Sequence, residues 1–291
     1  MIHPLPTQEN QWAKGLLVDL DMWVHTKIRQ LRFLFGQLFR SLVKTIVPNW
    51  TVRKKIGGWG YFAISAKFLF SDFSTWSGGH NSGFDYLISS AQKKTCVFDV
   101  GAHIGITTLP LAQAVGSGGR VFAVEPSLQN RTFLNRHLEA NKIENVTVLD
   151  CALTDHSGQA VTFFEMKDVS GMNGLLNNRS GMHSIQVSAS TLDQVASEFN
   201  VVPDLIKIDI EGAELACLKG AINTIQLYQP EIVLSVHPRQ MQEMGNHVEE
   251  LEVFLDQMGY DVVDILSGSS ADRPLGFGEY VLQAKSSSPA A

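Results

Sequence analysis

Residues 95–111 read Thr-Cys-Val-Phe-Asp-Val-Gly-Ala-His-Ile-Gly-Ile-Thr-Thr-Leu-Pro-Leu, and the rest of the chain is arranged around them. An apolar run ends at Asp99, glycines follow at Gly101 and Gly105, and apolar residues then recur at helical spacing. This is the pattern of a buried strand feeding a tight turn whose backbone passes close to something. In open α/β sheets, ligands gather at the carboxyl ends of such strands. The turn is therefore a candidate site for a nucleoside-bearing ligand. Pro110 constrains the helix that follows, because proline lacks a donor and clashes with the preceding turn. Either the helix starts near Thr107, with Pro110 in its first turn, or it is kinked.

Downstream the pattern alternates between strand and helix. Strands are predicted at 96–100, 120–124, 146–149, 205–209, 231–236, 260–265 and 279–283. Ser127 and Thr191 are placed to cap helices carrying Phe133, Leu134 and Leu138, and Leu192, Val195, Ala196 and Phe199. Val248, Leu251, Leu255 and Met258 mark a late helix that Gly259 stops. Alternating units of this kind imply a mainly parallel sheet covered on both faces. Residues 160–188 lack a crossover-helix pattern. They read as two strand pieces around a Gly/Asn-rich loop at 170–181, an insertion near the carboxyl edge of the sheet.

Upstream, residues 62–70 alternate with period two and read as a strand, and the Ser/Gly/Asn-rich stretch 71–83 reads as a loop carrying Trp76 and His80. That loop is either a cover for a substrate or a plain connector. A short helix at 84–91 leads into the central strand. Three parts follow from this reading: an N-terminal extension at 1–83, a domain at 84–285, and a tail at 286–291.

Net charge is −6 over 291 residues, but it is unevenly spread. Residues 1–55 carry nine Lys/Arg against Glu9, Asp19 and Asp21, a sum of +6, so the remainder carries −12. An acidic main body argues against nucleic acid as its partner. Within 16–47, Ile28, Leu31, Phe35, Leu38, Leu42 and Ile46 fall on one helical face. Charges interrupt every apolar run, so no span of about 18 residues could cross a bilayer. The expected roles of this basic amphipathic segment are packing on the main domain, pairing with a second copy, or peripheral membrane contact. Cys96, Cys151 and Cys217 have no paired spacing and no nearby histidine ligands, so they read as reduced packing residues in a cytoplasmic protein, and no metal is expected.

The turn at 99–105 holds glycines four apart. It lacks the Gly-x-Gly-x-x-Gly that brings backbone amides to a dinucleotide pyrophosphate, and the lysine of a phosphate loop. An acidic residue opening the turn repels phosphate but suits an ammonium. Glu125, ending the second strand, is placed to accept from ribose hydroxyls, and Asp150 to Ala152 lie where an adenine would end. A phosphate-free, positively charged nucleoside fits these features, and S-adenosylmethionine is one. The candidate cofactor residues are Asp99, Gly101, His103, Gly105, Glu125, Asp150 and Asp209.

Three segments carry a specific resemblance: Val97-Phe-Asp-Val-Gly-Ala-His-Ile-Gly105, Ala123-Val-Glu-Pro126 and Leu205-Ile-Lys-Ile-Asp-Ile-Glu-Gly-Ala-Glu214. Together with Leu218-Lys-Gly-Ala221 and Ile232-Val-Leu-Ser-Val-His237, they resemble the FkbM family of S-adenosylmethionine-dependent methyltransferases. The resemblance implies an α/β class I methyltransferase (Rossmann-like) fold with a seven-stranded, mostly parallel sheet, and usually methylation of a hydroxyl oxygen. His103 departs from the family, which more often has Asn there. Residues 1–70 lie outside the resemblance.

For such chemistry the acceptor is expected to be a hydroxyl on a sugar, a glycan or a small natural product. Lys207, Asp209 and Glu211 alternate along the fourth strand and its exit. A buried Lys207 must meet a carboxylate. Methyl transfer to an alcohol needs in-line geometry and a base. His237 has the right intrinsic range for that base, with Asp209 or Glu211 orienting it or serving in its place. His80 is a weaker candidate, and Glu214 reads as structural, favouring the helix dipole. Two other functions are weighed: a nicotinamide-dependent oxidoreductase, disfavoured by the turn, and a non-catalytic module of the same fold.

Overall fold

In a computed structural model, the described residues are 50–77, 81–177 and 179–285. The basic segment 16–47, His80 and the tail 286–291 lie outside them. The chain divides into two units, residues 51–65 with 71–291 and residues 1–50 with 66–70. Of the second, only Trp50 and 66–70 are described, the latter opening with a 3-10 turn at Ala66–Phe68.

The larger unit begins with a hairpin of β1 (Thr51–Lys55) and β2 (Tyr61–Ser65), then α1 (Phe84–Ala91). The expected nine-residue strand at 62–70 stops at Ser65 because β1, its pairing partner, ends at Thr51 opposite it. The central sheet is built from β3 (Cys96–Val100), β4 (Arg120–Val124), β5 (Val146–Leu149), β9 (Leu205–Ile208), β10 (Glu231–Val236), β11 (Tyr260–Asp264) and β12 (Gly278–Ala284). Its order is β5-β4-β3-β9-β10-β12-β11, and β12 alone runs antiparallel to its neighbours. Crossovers run one way from β3 through β5 and the other way from β9, so the topology switches between β3 and β9. Helices α2 (Thr108–Val115), α3 (Leu128–Ala140), α4 (Leu192–Glu198), α5 (Glu214–Lys219), α6 (Ile222–Tyr228), α7 (Pro238–Glu243) and α8 (Val248–Gln257) connect these strands.

The composition of the strands explains their burial. Every residue of β3 is buried, as a parallel strand covered on both faces requires. Phe98 and Phe122 stack across the β3–β4 pair at 4.8 Å, fully buried. Each contributes about 1.5–3 kcal/mol by leaving water. Helix α2 starts at Thr108, which places Pro110 in its first turn, where backbone N–H groups have no intrahelical partner anyway. Ser127 and Thr191 cap α3 and α4, accepting from Asn130 N and Gln194 N.

The insertion forms its own three-stranded sheet, β6 (Cys151–Leu153), β7 (Ala160–Met166) and β8 (Met182–Ser190), in the order β6-β8-β7. Its strands leave the end of β5, which puts the 170–181 loop at the carboxyl edge of the main sheet. The hairpin is joined to α3 at two points. Asn141 bonds both backbone groups of Ala63, and the Ser65 N–H donates to His137 Nε2 at 2.9 Å. The hairpin thus belongs to the same unit as the sheet. Cys96, Cys151 and Cys217 are all buried and free. No helix among the described residues is long and apolar enough to cross a membrane.

Candidate active site

A cavity with about 530 Å³ of empty space, mouth included, opens at the carboxyl ends of β3 and β4, beside the switch point. Gly101, His103, Glu125 and Asp209 form its polar wall. Val124, Ala152, Leu153 and Phe163 form an apolar one, while residues 170–171 and 173–175 of the insertion close a further side.

The turn after β3 is shaped for close approach. Gly101 has φ +85°, and a Cβ there would lie 2.1 Å from the Asp209 carbonyl oxygen. Only glycine fits this position. His103 also has a left-handed backbone, φ 51°, in the region where Asn, Asp and His are the enriched non-glycine residues. The His/Asn exchange at this position therefore has a backbone reason. Burial, with Lys207 nearby, pushes the His103 pKa down to about 4, so the ring is neutral.

Glu125 follows β4 and is 5% exposed. One oxygen accepts from His103 N at 2.8 Å and the other from Ser127 N at 2.9 Å, which fixes the carboxylate across the cavity floor and leaves further lone pairs on each oxygen. Burial pushes its pKa up to about 7, against the pull of those hydrogen bonds. Two buried polar atoms on the wall, His103 Nε2 and Asn130 Oδ1, have no hydrogen-bond partner among the described residues. Unsatisfied donors and acceptors beside apolar walls are what an adenosyl group with its ribose would complete, so the residues present fit such a cofactor.

The structure changes the expectation for four residues. Asp99 is fully buried beneath the turn, accepting from Thr108 Oγ1 at 2.7 Å and pairing with Lys207 Nζ at 3.2 Å. It cannot meet a ligand in the cavity directly, and instead meets the lysine's need for a counter-charge. Gly105 packs rather than lines, since a Cβ there would strike Leu134 Cδ1 at 2.6 Å. Asp150 points outward, its side chain 80% exposed and 3.9 Å from Arg131, while Cys151 and Ala152 take the wall. Glu211 does not continue the alternation of Lys207 and Asp209, because β9 has ended. Its φ of 55° turns the carboxylate to Gln240 Nε2 at 3.0 Å and Arg179 at 3.7 Å.

His237 follows β10 directly and precedes α7, with only 6% exposure. Its Nδ1 lies 2.8 Å from Glu214 Oε1, and its Nε2 faces Asp209 Oδ1 at 3.7 Å. Burial alone would lower its pKa, but the hydrogen bond and charge of fully buried Glu214, then Asp209 and Glu211, outweigh it and the net shift is upward. Lys207 behaves likewise, burial being outweighed by Asp99 and then Asp209. Glu214 also accepts from Gly212 N at 2.9 Å, so it is a member of the site and not only a favourable charge at a helix start. Asn130 is a further cavity residue that the sequence pattern does not single out. Its position three after the capping Ser127 was visible, but its approach to the cavity depends on how α3 packs. No group of three or more possible metal ligands occurs among the described residues.

A doubly wound sheet with this strand order, an acidic residue closing the second central strand and a polar-walled cavity at the switch point define a class I methyltransferase architecture. The chain matches the Methyltransferase FkbM domain over residues 99–262, more than half its length. It belongs to the FkbM methyltransferase family, as the resemblance in its motifs implied, and S-adenosylmethionine is the cofactor that goes with that family. "Methyltransferase sdnD" of Sordaria araneosa is 24% identical over 69% of this chain and 86% of its own length. "Methyltransferase 1" of Beauveria bassiana is 25% identical over 46% of this chain, and the match spans 61% of the Beauveria protein. Among solved structures, methyltransferase FkbM from Methylobacillus flagellatus KT is 19% identical with a TM-score of 0.43, covering 75% of this chain and 54% of its own.

Proposed function

We propose that this chain is an S-adenosylmethionine-dependent O-methyltransferase whose acceptor is a hydroxyl on a sugar, a glycan or a small natural product. The observation that carries this reading is His237, a buried imidazole held by Glu214 with its other nitrogen directed to Asp209 on the cavity wall. When bound, the cofactor supplies an electrophilic methyl group, and its transfer to a hydroxyl oxygen leaves S-adenosylhomocysteine and a proton to be removed.

The chain's own residues divide that work. Glu125 would hold the ribose hydroxyls through the lone pairs not used by His103 N and Ser127 N. Asn130 Oδ1 offers an acceptor, His103 Nε2 a donor or acceptor according to tautomer, and Asp209 the negative charge that an ammonium needs. His237 takes the hydroxyl proton at Nε2. Glu214 keeps the Nδ1 proton in place and stabilises the imidazolium that results. A nicotinamide reaction has no support in this cavity, which opens on an acidic and apolar wall. The test is a product screen by mass spectrometry with S-adenosylmethionine and a panel of glycosides and small alcohols. Mass gain on oxygen is expected, and methylation of nitrogen or carbon only would contradict it.

A further inference from the structure

Phe277 is 80% exposed and stands beside the buried His237. The two rings meet edge to face, with centroids 5.5 Å apart and planes at 68°. The pairing is set by the backbone. β10 and β12 are antiparallel with Val236 opposite Gly278, so the next residues out, His237 and Phe277, face each other at the carboxyl edge of the sheet.

A solitary exposed aromatic on a protein surface needs no explanation. This one is presented by a fixed frame. Leu275, two residues before it, is buried, and its N–H donates to buried Glu252 at 2.7 Å. The Tyr280 hydroxyl donates to the Gly276 carbonyl at 3.2 Å. Gly276 and Gly278 flank Phe277 in the chain, just ahead of β12. Glu211 with Gln240, and half-exposed Asp209, supply hydrogen-bonding groups around the same imidazole. Phe277 falls outside the residues matched by the family.

Resting on the O-methylation reading, we propose that Phe277 is the acceptor-positioning wall of the site. It covers the apolar C–H face of a pyranose ring, while the ring's hydroxyl edge turns to His237 and the nearby carboxylates. A flat apolar surface beside several acceptors matches a molecule with apolar faces and a hydroxylated rim.

The test uses the full chain loaded with S-adenosylhomocysteine, titrated with methyl glucoside, mannoside and galactoside, with glycerol as the acyclic control, by ligand-observed NMR. Initial rates with S-adenosylmethionine follow for any glycoside that binds. At least one pyranoside is expected to bind in preference to glycerol. Phe277→Ala should weaken that binding about tenfold or more, the scale of an apolar ring uncovered, raising KM more than it lowers kcat. Phe277→Tyr should restore it, while cofactor affinity and melting temperature stay at wild-type values. Equal pyranoside binding by wild type and Phe277→Ala would overturn the wall. So would a cofactor-loaded protein that ignores every pyranoside yet methylates another alcohol, an outcome that leaves O-methylation standing. Failure to bind S-adenosylhomocysteine at all overturns the underlying reading, and the wall with it.

Discussion

The two halves of the site are built from different material. The proposed cofactor half, Gly101, His103 and Glu125, sits on turns directly after β3 and β4, with Glu125 fixed by backbone hydrogen bonds. The proposed acceptor half gathers Asp209, Glu211 and Glu214 from one stretch, His237 from a second and Phe277 from a third, joined largely through side chains. The first half is set mainly by the adjacent strands β3 and β4, and the second draws on β9, β10 and β12. Changes in the first should therefore act on cofactor affinity, and changes in the second on turnover.

That division can be broken most severely at His237. His237→Ala is expected to lower kcat by about 10²–10⁴, the range for loss of a positioned base, with cofactor affinity nearly unchanged. A wild-type rate in steady-state assays would remove His237 from proton transfer. On the other side, Glu125→Ala should weaken S-adenosylmethionine binding by about 1–3 kcal/mol, since acceptors are lost from a buried site. Unaltered affinity by calorimetry would refute the ribose assignment.

A subtler probe is the pH profile. The base must be neutral to act, and Glu214 together with Asp209 holds the His237 pKa above its ordinary value, so kcat should rise with pH through an inflection above about 6.5. Glu214→Gln removes the buried charge and should move the inflection down. An unmoved inflection would assign the titration to another group.

How much of this was legible follows from the same division. The strands, the caps at Ser127 and Thr191, the position of Pro110 and the turn after Asp99 are encoded by neighbours in sequence, and periodicity reads them. The direction in which Asp99, Asp150 and Glu211 point is not encoded that way. Asp99 turns inward because Lys207, from a strand over a hundred residues later, needs a counter-charge. Glu211 leaves the alternation because β9 ends at Ile208 and the chain takes a left-handed step. Glu214 is legible only as a favourable charge at a helix start and Phe277 not at all, because their meaning lies in His237, and only the pairing of β10 with β12 and the packing of α5 bring them there.

The smallest expected effect concerns stability. His137 accepts from Ser65 N and meets the Ile104 carbonyl through Nδ1, and burial pushes its pKa down to about 4. The unfolded chain takes up that proton near pH 6.5. The neutral histidine's contribution is therefore present above about pH 6.5 and is lost as pH falls toward 4. His137→Gln should cost about 1–3 kcal/mol at neutral pH, and the difference in melting temperature from wild type should narrow on acidification. A constant difference would mean that this histidine does not titrate between the two states.

The most direct test of the whole account is calorimetric titration of the full chain with S-adenosylmethionine and S-adenosylhomocysteine, with NAD as control. Saturable one-to-one binding of both adenosyl compounds and none of NAD is expected. Absence of binding by either adenosyl compound would contradict the assignment of the cavity.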